Sequence, residues 1–252
     1  MAPFRLIARL DVKSPSLVKS IRMEGLRVLG RPHEFVRRYQ RSGWELLYLD
    51  IVASLYGRNH LAELLDETAQ FSHIPITAGG GVRSLEDAQT LLNHGADIIA
   101  LNTAALARPS LIDEASARYG AQALVLSVEA KRKGARWEAY GDCGRTPSGR
   151  DVVQWCREGV DRGAGQILLT SIDMDGTRSG FDTELIAAVA PKMEVPVIAG
   201  GGAGTIEHIR AAKHAGADGV AIGTALHYGV LTQETIEHGL AETPRLPSLC
   251  RG

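Results

Sequence analysis

The strongest constraint on what this chain can fold into is that it repeats itself. The stretch PITAGGGVRSLEDAQTLLNHGADIIALNTA, from Pro75 to Ala104, aligns without a gap on PVIAGGGAGTIEHIRAAKHAGADGVAIGTA, from Pro196 to Ala225. Several features stay in register. They are the AGGG stretch (Ala78–Gly81, Ala199–Gly202), a glutamate (Glu86, Glu207), the GAD triplet (Gly95–Asp97, Gly216–Asp218) and a Thr-Ala pair (Thr103-Ala104, Thr224-Ala225). A repeat this ordered has to be explained before any local assignment, because it sets the architecture.

Each half reads as strand-helix-strand-helix. Short apolar runs occur at Phe4–Leu10, Glu45–Leu49, Ile74–Ala78, Asp97–Leu101, Ala123–Val128, Gln166–Ser171, Val195–Ala199 and Gly219–Ile222. They are nearly continuous rather than alternating, as parallel strands covered on both faces require. Between them lie amphipathic stretches of helical length, of which HEFVRRYQRSG, SLEDAQTLLNHG and TIEHIRAAKHAG are the clearest. Ser84 and Thr205 are suited to cap helix N-termini, Glu86 and Glu207 follow near the positive helix end, and Gly95 and Gly216 suit the helix stops. Alternating strands and helices give an α/β protein with a parallel sheet. Eight units in 252 residues fit one closed (β/α)₈ TIM barrel with an internal two-fold half-barrel repeat, over residues 1–241. A doubly wound open sheet is the alternative, but GxGxxG is absent and the repeat favours closure. Residues 242–252, ETPRLPSLCRG, have two prolines and no periodicity and are expected to be an irregular tail.

Composition then removes whole classes of function. A formal net charge of −1 carries no basic bias, which argues against nucleic acid and anionic membrane as partners. No run of eighteen apolar residues is present, so no transmembrane helix is expected. The N-terminal MAPFRLIARLDVK has too short an apolar core for a secretory signal. Cys143, Cys156 and Cys250 are far apart, which points to a reducing cytoplasm rather than a disulfide framework or zinc site. The histidines show no ligand spacing. Neither a metal nor a cofactor is expected.

In a barrel the AGGG stretches end strands three and seven, on the face that carries active sites. Glycines there let backbone N–H groups approach a ligand, and amides beside a helix start make a phosphate cradle. The first cradle would comprise Gly80, Gly81, Asn102 and Thr103, and the second Gly201, Gly202, Gly223 and Thr224. Tight turns alone would explain a lone cluster. Two matched clusters with small polar partners suggest a ligand phosphorylated at both ends, its reactive centre over the middle of the mouth.

Two carboxylates flank that middle. Asp11 ends the first strand in RLDVK and Glu129 ends the fifth in SVEAK, each followed two residues later by a lysine, Lys13 and Lys131. They occupy equivalent places in the two halves and suit paired acid and base roles; a structural ion pair with a neighbouring lysine is the alternative. Asp50 also closes a strand and could serve as an orienter. In the loop TSIDMDGTRSGFDTE, Asp173 and Asp175 are acidic strand-end groups, whereas Gly176, Thr177, Ser179 and Gly180 resemble anion ligands. No Ser-His-Asp or Cys-His arrangement indicates covalent catalysis.

These stretches together resemble the cyclase subunit of imidazole glycerol phosphate synthase, the HisF family of histidine biosynthesis. RLIARLDVK, AGGGVRS, LNTAA, LLTSIDMDGTRSGFDTE and VIAGGGAGTIEH carry the resemblance, which reaches about Tyr228. It implies a barrel that takes ammonia from a glutaminase partner in a heterodimer. The ammonia would be added to a bisphosphorylated ribulosyl-formimino aminoimidazole carboxamide ribotide, giving imidazole glycerol phosphate and AICAR. It maps the family's two catalytic aspartates onto Asp11 and Glu129. The family's mobile first loop corresponds to SLVKSIRMEGLRVLG, with Lys19 at the loop-lysine position.

Three departures stand out. Glu129 replaces an aspartate, which moves the carboxyl by roughly 1.5 Å, and misplacement of about an ångström can cost two orders of magnitude in rate. The family's four-residue charged gate for ammonia at the other end of the barrel is here Arg5, Glu45, Ile98 and Gln166. The serine before the second glycine pair is Gly200. Two further readings follow from these changes. One is a paralogue that delivers or uses ammonia to amidate a nucleotide sugar in surface-polysaccharide synthesis. The other is a non-catalytic barrel partner of a glutaminase.

Overall fold

Eight parallel strands close on one another in the computed structural model, which describes residues 3–51 and 61–241. Twelve strands are present among these residues: β1 Arg5–Lys13, β2 Ser16–Ile21, β3 Glu24–Gly30, β4 Trp44–Asp50, β5 Ile76–Gly79, β6 Ile98–Leu101, β7 Leu124–Lys133, β8 Arg136–Gly141, β9 Thr146–Asp151, β10 Gln166–Ser171, β11 Val197–Gly200 and β12 Gly219–Ile222. The parallel ladder runs β1-β4-β5-β6-β7-β10-β11-β12 and returns from β12 to β1, with Arg5 beside Gly219 and Ala8 beside Ile222. This is a (β/α)₈ barrel, and all eight expected strands are in it. Closure leaves no unpaired edge in the ring.

The period of two along each strand separates two apolar layers. On β1, Leu6, Ala8, Leu10 and Val12 face outward into the main core, which extends through Trp44, Leu65, Leu91, Leu111, Trp155 and Ile236. The intervening Ile7 faces the lumen, where it packs with Leu47, Ala100, Val125, Leu168, Ile198 and Ala221. Burial on both faces is why the strands read as continuous apolar runs.

The repeat has a mechanical meaning at the far end of the barrel. Each GAD aspartate turns back to the strand before it: Asp97 Oδ2 accepts the Ile76 N–H at 2.8 Å, and Asp218 Oδ2 accepts the Val197 N–H at 2.9 Å. Between these strands run helices Leu85–Asn93 and Ile206–His214, capped by Ser84 and Thr205 through the N–H groups of Asp87 and His208. Gly95 and Gly216 follow at φ +105 in both cases, the left-handed turn that a helix stop favours.

The structure departs from the sequence reading in two places. HEFVRRYQRSG is helical only within Pro32–Val36. Tertiary contacts override its periodicity: the Tyr39 hydroxyl reaches His227 Nδ1 at 2.8 Å, and Arg41 is drawn to Glu234 and Glu237. The stretch read as the first loop is not a loop. β1 runs past Asp11 to Lys13 and pairs with β2, which pairs with β3 as a hairpin turned by Arg22 and Met23 at φ 54 and 60. β7 likewise overruns Glu129 to Lys133 and pairs with β8 and then β9. The two halves are therefore alike here as well, each with an antiparallel hairpin standing on its first strand. The expected tail, residues 242–252, lies outside the described residues.

Because Asp97 and Asp218 satisfy strand N–H groups far from the mouth, Asp97→Ala and Asp218→Ala should each destabilise the fold by about 1–2 kcal/mol. Urea unfolding with a lowered midpoint and an unchanged m-value is the expected outcome.

Candidate active site

The inward-facing residues of β1 beyond the apolar layer are Arg9 and Asp11, both nearly fully buried at 4% and 3% exposure. Arg9 Nε donates to Asp11 Oδ1 at 2.8 Å, and Nη1 donates to Thr170 Oγ1 on β10 at 3.1 Å. Lys19, brought in on β2, donates to Asp11 Oδ2 at 2.5 Å. Burial alone would raise the Asp11 carboxyl, yet the two cations outweigh it and hold it well below the usual carboxylate range. Burial would also lower the Arg9 guanidinium, but Asp11 and Asp175 reverse that and keep it charged.

Glu129 has a different environment. It is buried on β7, and its Oε2 accepts the Gly144 N–H at 2.8 Å. Burial pushes it up to about 7, against the pull of the Gly144 amide and of Arg9, while Asp175 and Asp11 add to the rise. The mouth thus holds one carboxylate fixed as an anion and one carboxyl poised near neutrality. The ion pairs that sequence suggested with Lys13 or Lys131 do not form; Asp11 pairs with Arg9 and Lys19 instead.

A cavity of about 380 Å³ joins these groups. Asp11, Glu129, Asp50 and Asp175 line it together with Gly80, Gly81, Asn102 and Thr103. A narrower pocket beside it is lined by Lys19, Asp175, Gly176, Gly201, Gly202, Gly223 and Thr224, with Arg178 added. The two glycine clusters therefore do flank one mouth. Their glycines are required there: a Cβ on Gly80 would lie 2.2 Å from the Asp50 carbonyl, and one on Gly202 would lie 1.9 Å from that of Gly180. Both also have a positive φ, 101 and 109.

Thr177 is placed differently. Its hydroxyl donates to the Met174 carbonyl at 2.8 Å and accepts the Ser179 N–H at 3.2 Å, so it shapes the loop after β10. Asp173 also turns away, accepting the Arg132 N–H at 2.9 Å. Among the described residues, Asn102 Oδ1, Ser171 Oγ and Asp175 Oδ2 are buried without a hydrogen-bond partner. Such atoms call for a partner, an ordered water or a bound ligand.

The β2–β3 hairpin folds over this mouth. The Arg22 N–H donates to the Asp175 carbonyl at 2.8 Å, Met23 packs on Tyr140 and Ile172, and Ser20 backs directly onto Gly176. Arg9 is the residue that reading the sequence missed, and with Asp175 it lines both pockets. The signal was available. Arg5, Ile7, Arg9 and Asp11 share one face of a strand, so an acid facing the mouth puts the arginine two residues earlier on the same side.

At the other end of the lumen Arg5 grips Glu45 with both arms, Nε to Oε1 at 2.7 Å and Nη2 to Oε2 at 2.6 Å, and also donates to Gln166. Ile98 packs against the apolar lumen layer.

Comparison with known proteins bears on what this mouth is for. A family model described as histidine biosynthesis protein matches residues 5–232. The chain is 54% identical over 209 residues to imidazole glycerol phosphate synthase subunit HisF of Legionella pneumophila, covering 82% of this chain and 99% of that protein. It is 47% identical over 241 residues to the HisF subunit of Myxococcus xanthus, covering 95% of both chains. The HisF subunit of Metallosphaera sedula is 45% identical over 233 residues, 92% of this chain and 93% of that protein. The chain belongs to the HisF family.

For a HisF chain the electrostatics of the mouth have a measurable cost. The folded state binds the Glu129 proton more tightly than the unfolded state does. The resulting penalty is absent below the ordinary carboxylate range, grows as pH rises towards 7 and levels off above it. Glu129→Gln keeps an acceptor for the Gly144 amide and should stabilise the fold at pH 8 by about 2 kcal/mol, with no comparable gain at pH 4.5. Chemical denaturation at the two pH values measures the difference; equal gains at both would show that Glu129 is ionised throughout.

Proposed function

We propose that this chain is the cyclase subunit of imidazole glycerol phosphate synthase. It adds ammonia to the bisphosphorylated ribulosyl-formimino aminoimidazole carboxamide ribotide and releases imidazole glycerol phosphate and AICAR. The observation that carries this reading is the single mouth in which Asp11 and Glu129 line one glycine-walled pocket and a second adjoins it through Arg9 and Asp175. In it, one substrate phosphate is held at Gly80, Gly81, Asn102 and Thr103. The other is held at Gly201, Gly202, Gly223 and Thr224, with Asp175 and Gly176 between them and the middle of the mouth. The wall of the second pocket carries Arg178, a cation suited to a phosphate, beside Lys19, whose ammonium is bonded to Asp11.

Glu129, pushed up to about 7, is the group able to give and take a proton near neutral pH. Asp11 faces it as a fixed negative charge, able to stabilise positive charge as nitrogen adds to the substrate. Asp50 lines the same cavity, and its backbone packs against Gly80. Its role is to hold the first cradle in place.

Nitrogen comes from a glutaminase subunit docked on the opposite end of the barrel. That end offers a hollow of about 540 Å³ around Trp44, Glu45, Phe71 and Pro75, next to the Arg5–Glu45 pair. With Ile98 and Gln166 completing the ring, the four side chains hold one ion pair, Arg5–Glu45. The cytoplasm is the compartment that fits two free thiols, Cys143 and Cys156. The nucleotide-sugar and non-catalytic readings are less well supported, because acids stand at both catalytic strand ends and the relatives compared are HisF subunits.

The test is turnover of the ribulosyl-formimino substrate by the purified chain with ammonium salt, followed as loss of substrate absorbance. Asp11→Asn and Glu129→Gln should each lower kcat by about a hundredfold or more while substrate still binds. Tight binding without turnover in the unaltered chain would move the nucleotide-sugar reading to the front.

A further inference from the structure

Arg9 sits where neither cradle needs it and where an arginine has to be accommodated. Its side chain is 5% exposed, and it lies on the boundary between the two pockets. Its two hydrogen-bonding arms point to different strands, Nε to Asp11 on β1 and Nη1 to Thr170 on β10. Space for this fork comes from Gly200 at the end of β11. A Cβ there would lie 2.7 Å from Thr170 Oγ1 and 3.6 Å from Arg9 Nη1. The backbone is pinned as well. The Arg9 carbonyl can only accept, so His227 Nε2 carries the proton in their 3.0 Å bond, and Nδ1 accepts from the Tyr39 hydroxyl at 2.8 Å. Burial lowers His227 to about 3, so the ring stays neutral and this arrangement persists.

We propose that Arg9 is a positioning residue: its guanidinium, seated by Thr170 and by the bare Gly200, clamps Asp11 in one orientation as a fixed anion and leaves proton exchange with the substrate to Glu129. The inference rests on the reading of this mouth as the reaction site and assigns its two acids different work. Asp11 offers neither oxygen freely, since Oδ1 is taken by Arg9 and Oδ2 by Lys19. Glu129 receives one backbone N–H and no direct cation contact. The groups that bear on the pair come from every element around the mouth. They are Arg9 from β1, Lys19 from β2, Asp50 from β4, Arg83 from the loop after β5, Arg108 from the segment after β6, Cys143 and Arg145 from the β8–β9 turn, Asp175 from the loop after β10, and His227 from the helix Thr224–His227. Of these, Arg9 and Lys19 are the two cations in contact with Asp11.

The test reads the carboxyls directly, so it holds whether or not the chain turns over the expected substrate. Side-chain carboxyl carbon NMR of the full chain, titrated between pH 4 and 9, follows Asp11 and Glu129 individually. In the unaltered chain Asp11 should show no midpoint in this range and Glu129 should titrate near neutrality.

Arg9→Met should bring the Asp11 midpoint up into this window and move Glu129 upward too, because the same cation holds both down. Arg9→Lys should keep Asp11 low, since charge is retained. It should nevertheless lower kcat at unchanged KM, because a point charge cannot hold Asp11 and Thr170 together. Gly200→Ser, which crowds the Thr170 hydroxyl without removing any charge, should move Asp11 in the same direction as Arg9→Met by a smaller amount. It carries the test if Arg9→Met does not fold. Where turnover is measurable, the alkaline limb of kcat/KM should shift upward in Arg9→Met with Glu129. Asp11 and Glu129 midpoints unmoved in Arg9→Met and in Gly200→Ser would overturn the proposal and leave Arg9 a packing residue.

Discussion

A carboxylate buried between two cations holds the mouth of this barrel together. Asp11 binds Arg9 beside it and Lys19 across from it, and those two side chains belong to different parts of the fold. Through Lys19 the ion cluster ties down β2, and with it the hairpin that packs on Ile172 and Tyr140 and bonds to the loop at Asp175. Through Arg9 it reaches Thr170 on β10, nearly opposite in the ring. A buried ion pair is seldom a net gain in stability, because desolvation offsets most of its attraction. What it provides is geometry: removing Asp11 strands two cations, and removing either cation leaves one carboxylate oxygen without its partner, so the members hold one another where they are. Stability is supplied elsewhere, by the outer core between sheet and helices.

Much of this was legible in the sequence, and the reasons are physical. The eight strands were visible because burial on both faces demands apolar residues at nearly every position, and the helices Leu85–Asn93 and Ile206–His214 because their caps obey local rules. The two hairpins were not visible. β2 and β3 pair beyond the barrel, where continuous apolar sequence is not needed. Their turn is made by Arg22 and Met23 in left-handed conformation instead of the Asn-Gly or Asp-Gly that marks such turns. HEFVRRYQRSG has a helical pattern, but Tyr39 leaves it to bond His227, a contact that sequence spacing does not encode.

At the site, residue types and strand ends pointed to Asp11, Glu129 and both glycine clusters. Partnerships did not follow from them. Lys19 reads as a phosphate ligand and is bonded to an acid, and Thr177 reads the same way and is used inside its own turn. Arg9 was passed over because a lone arginine in an apolar run resembles an interruption, whereas inward parity makes it part of the site. Gly200 had the opposite difficulty: it was noticed as a difference but had no meaning until Thr170 and Arg9 were seen against it.

The duplicated architecture sharpens the point about Arg9. Asp11 and Glu129 occupy equivalent places in the two halves, each on a strand that overruns the barrel and carries a hairpin. Symmetry would give them the same chemistry. The residue two positions earlier breaks it: Arg9 in the first half, Ser127 in the second. The guanidinium joins Lys19 in holding one acid down, while burial without a matching cation contact raises the other, so their proton affinities lie on opposite sides of the ordinary carboxylate range. Two acids with like affinities would share a proton and compete for one role. Two acids driven apart can act together, one as a charge and one as a proton carrier. In this chain the division rests on the two cations gathered at Asp11 and on the burial of Glu129, and Arg9, with the glycine that makes room for it, is the part of it that the repeat does not supply.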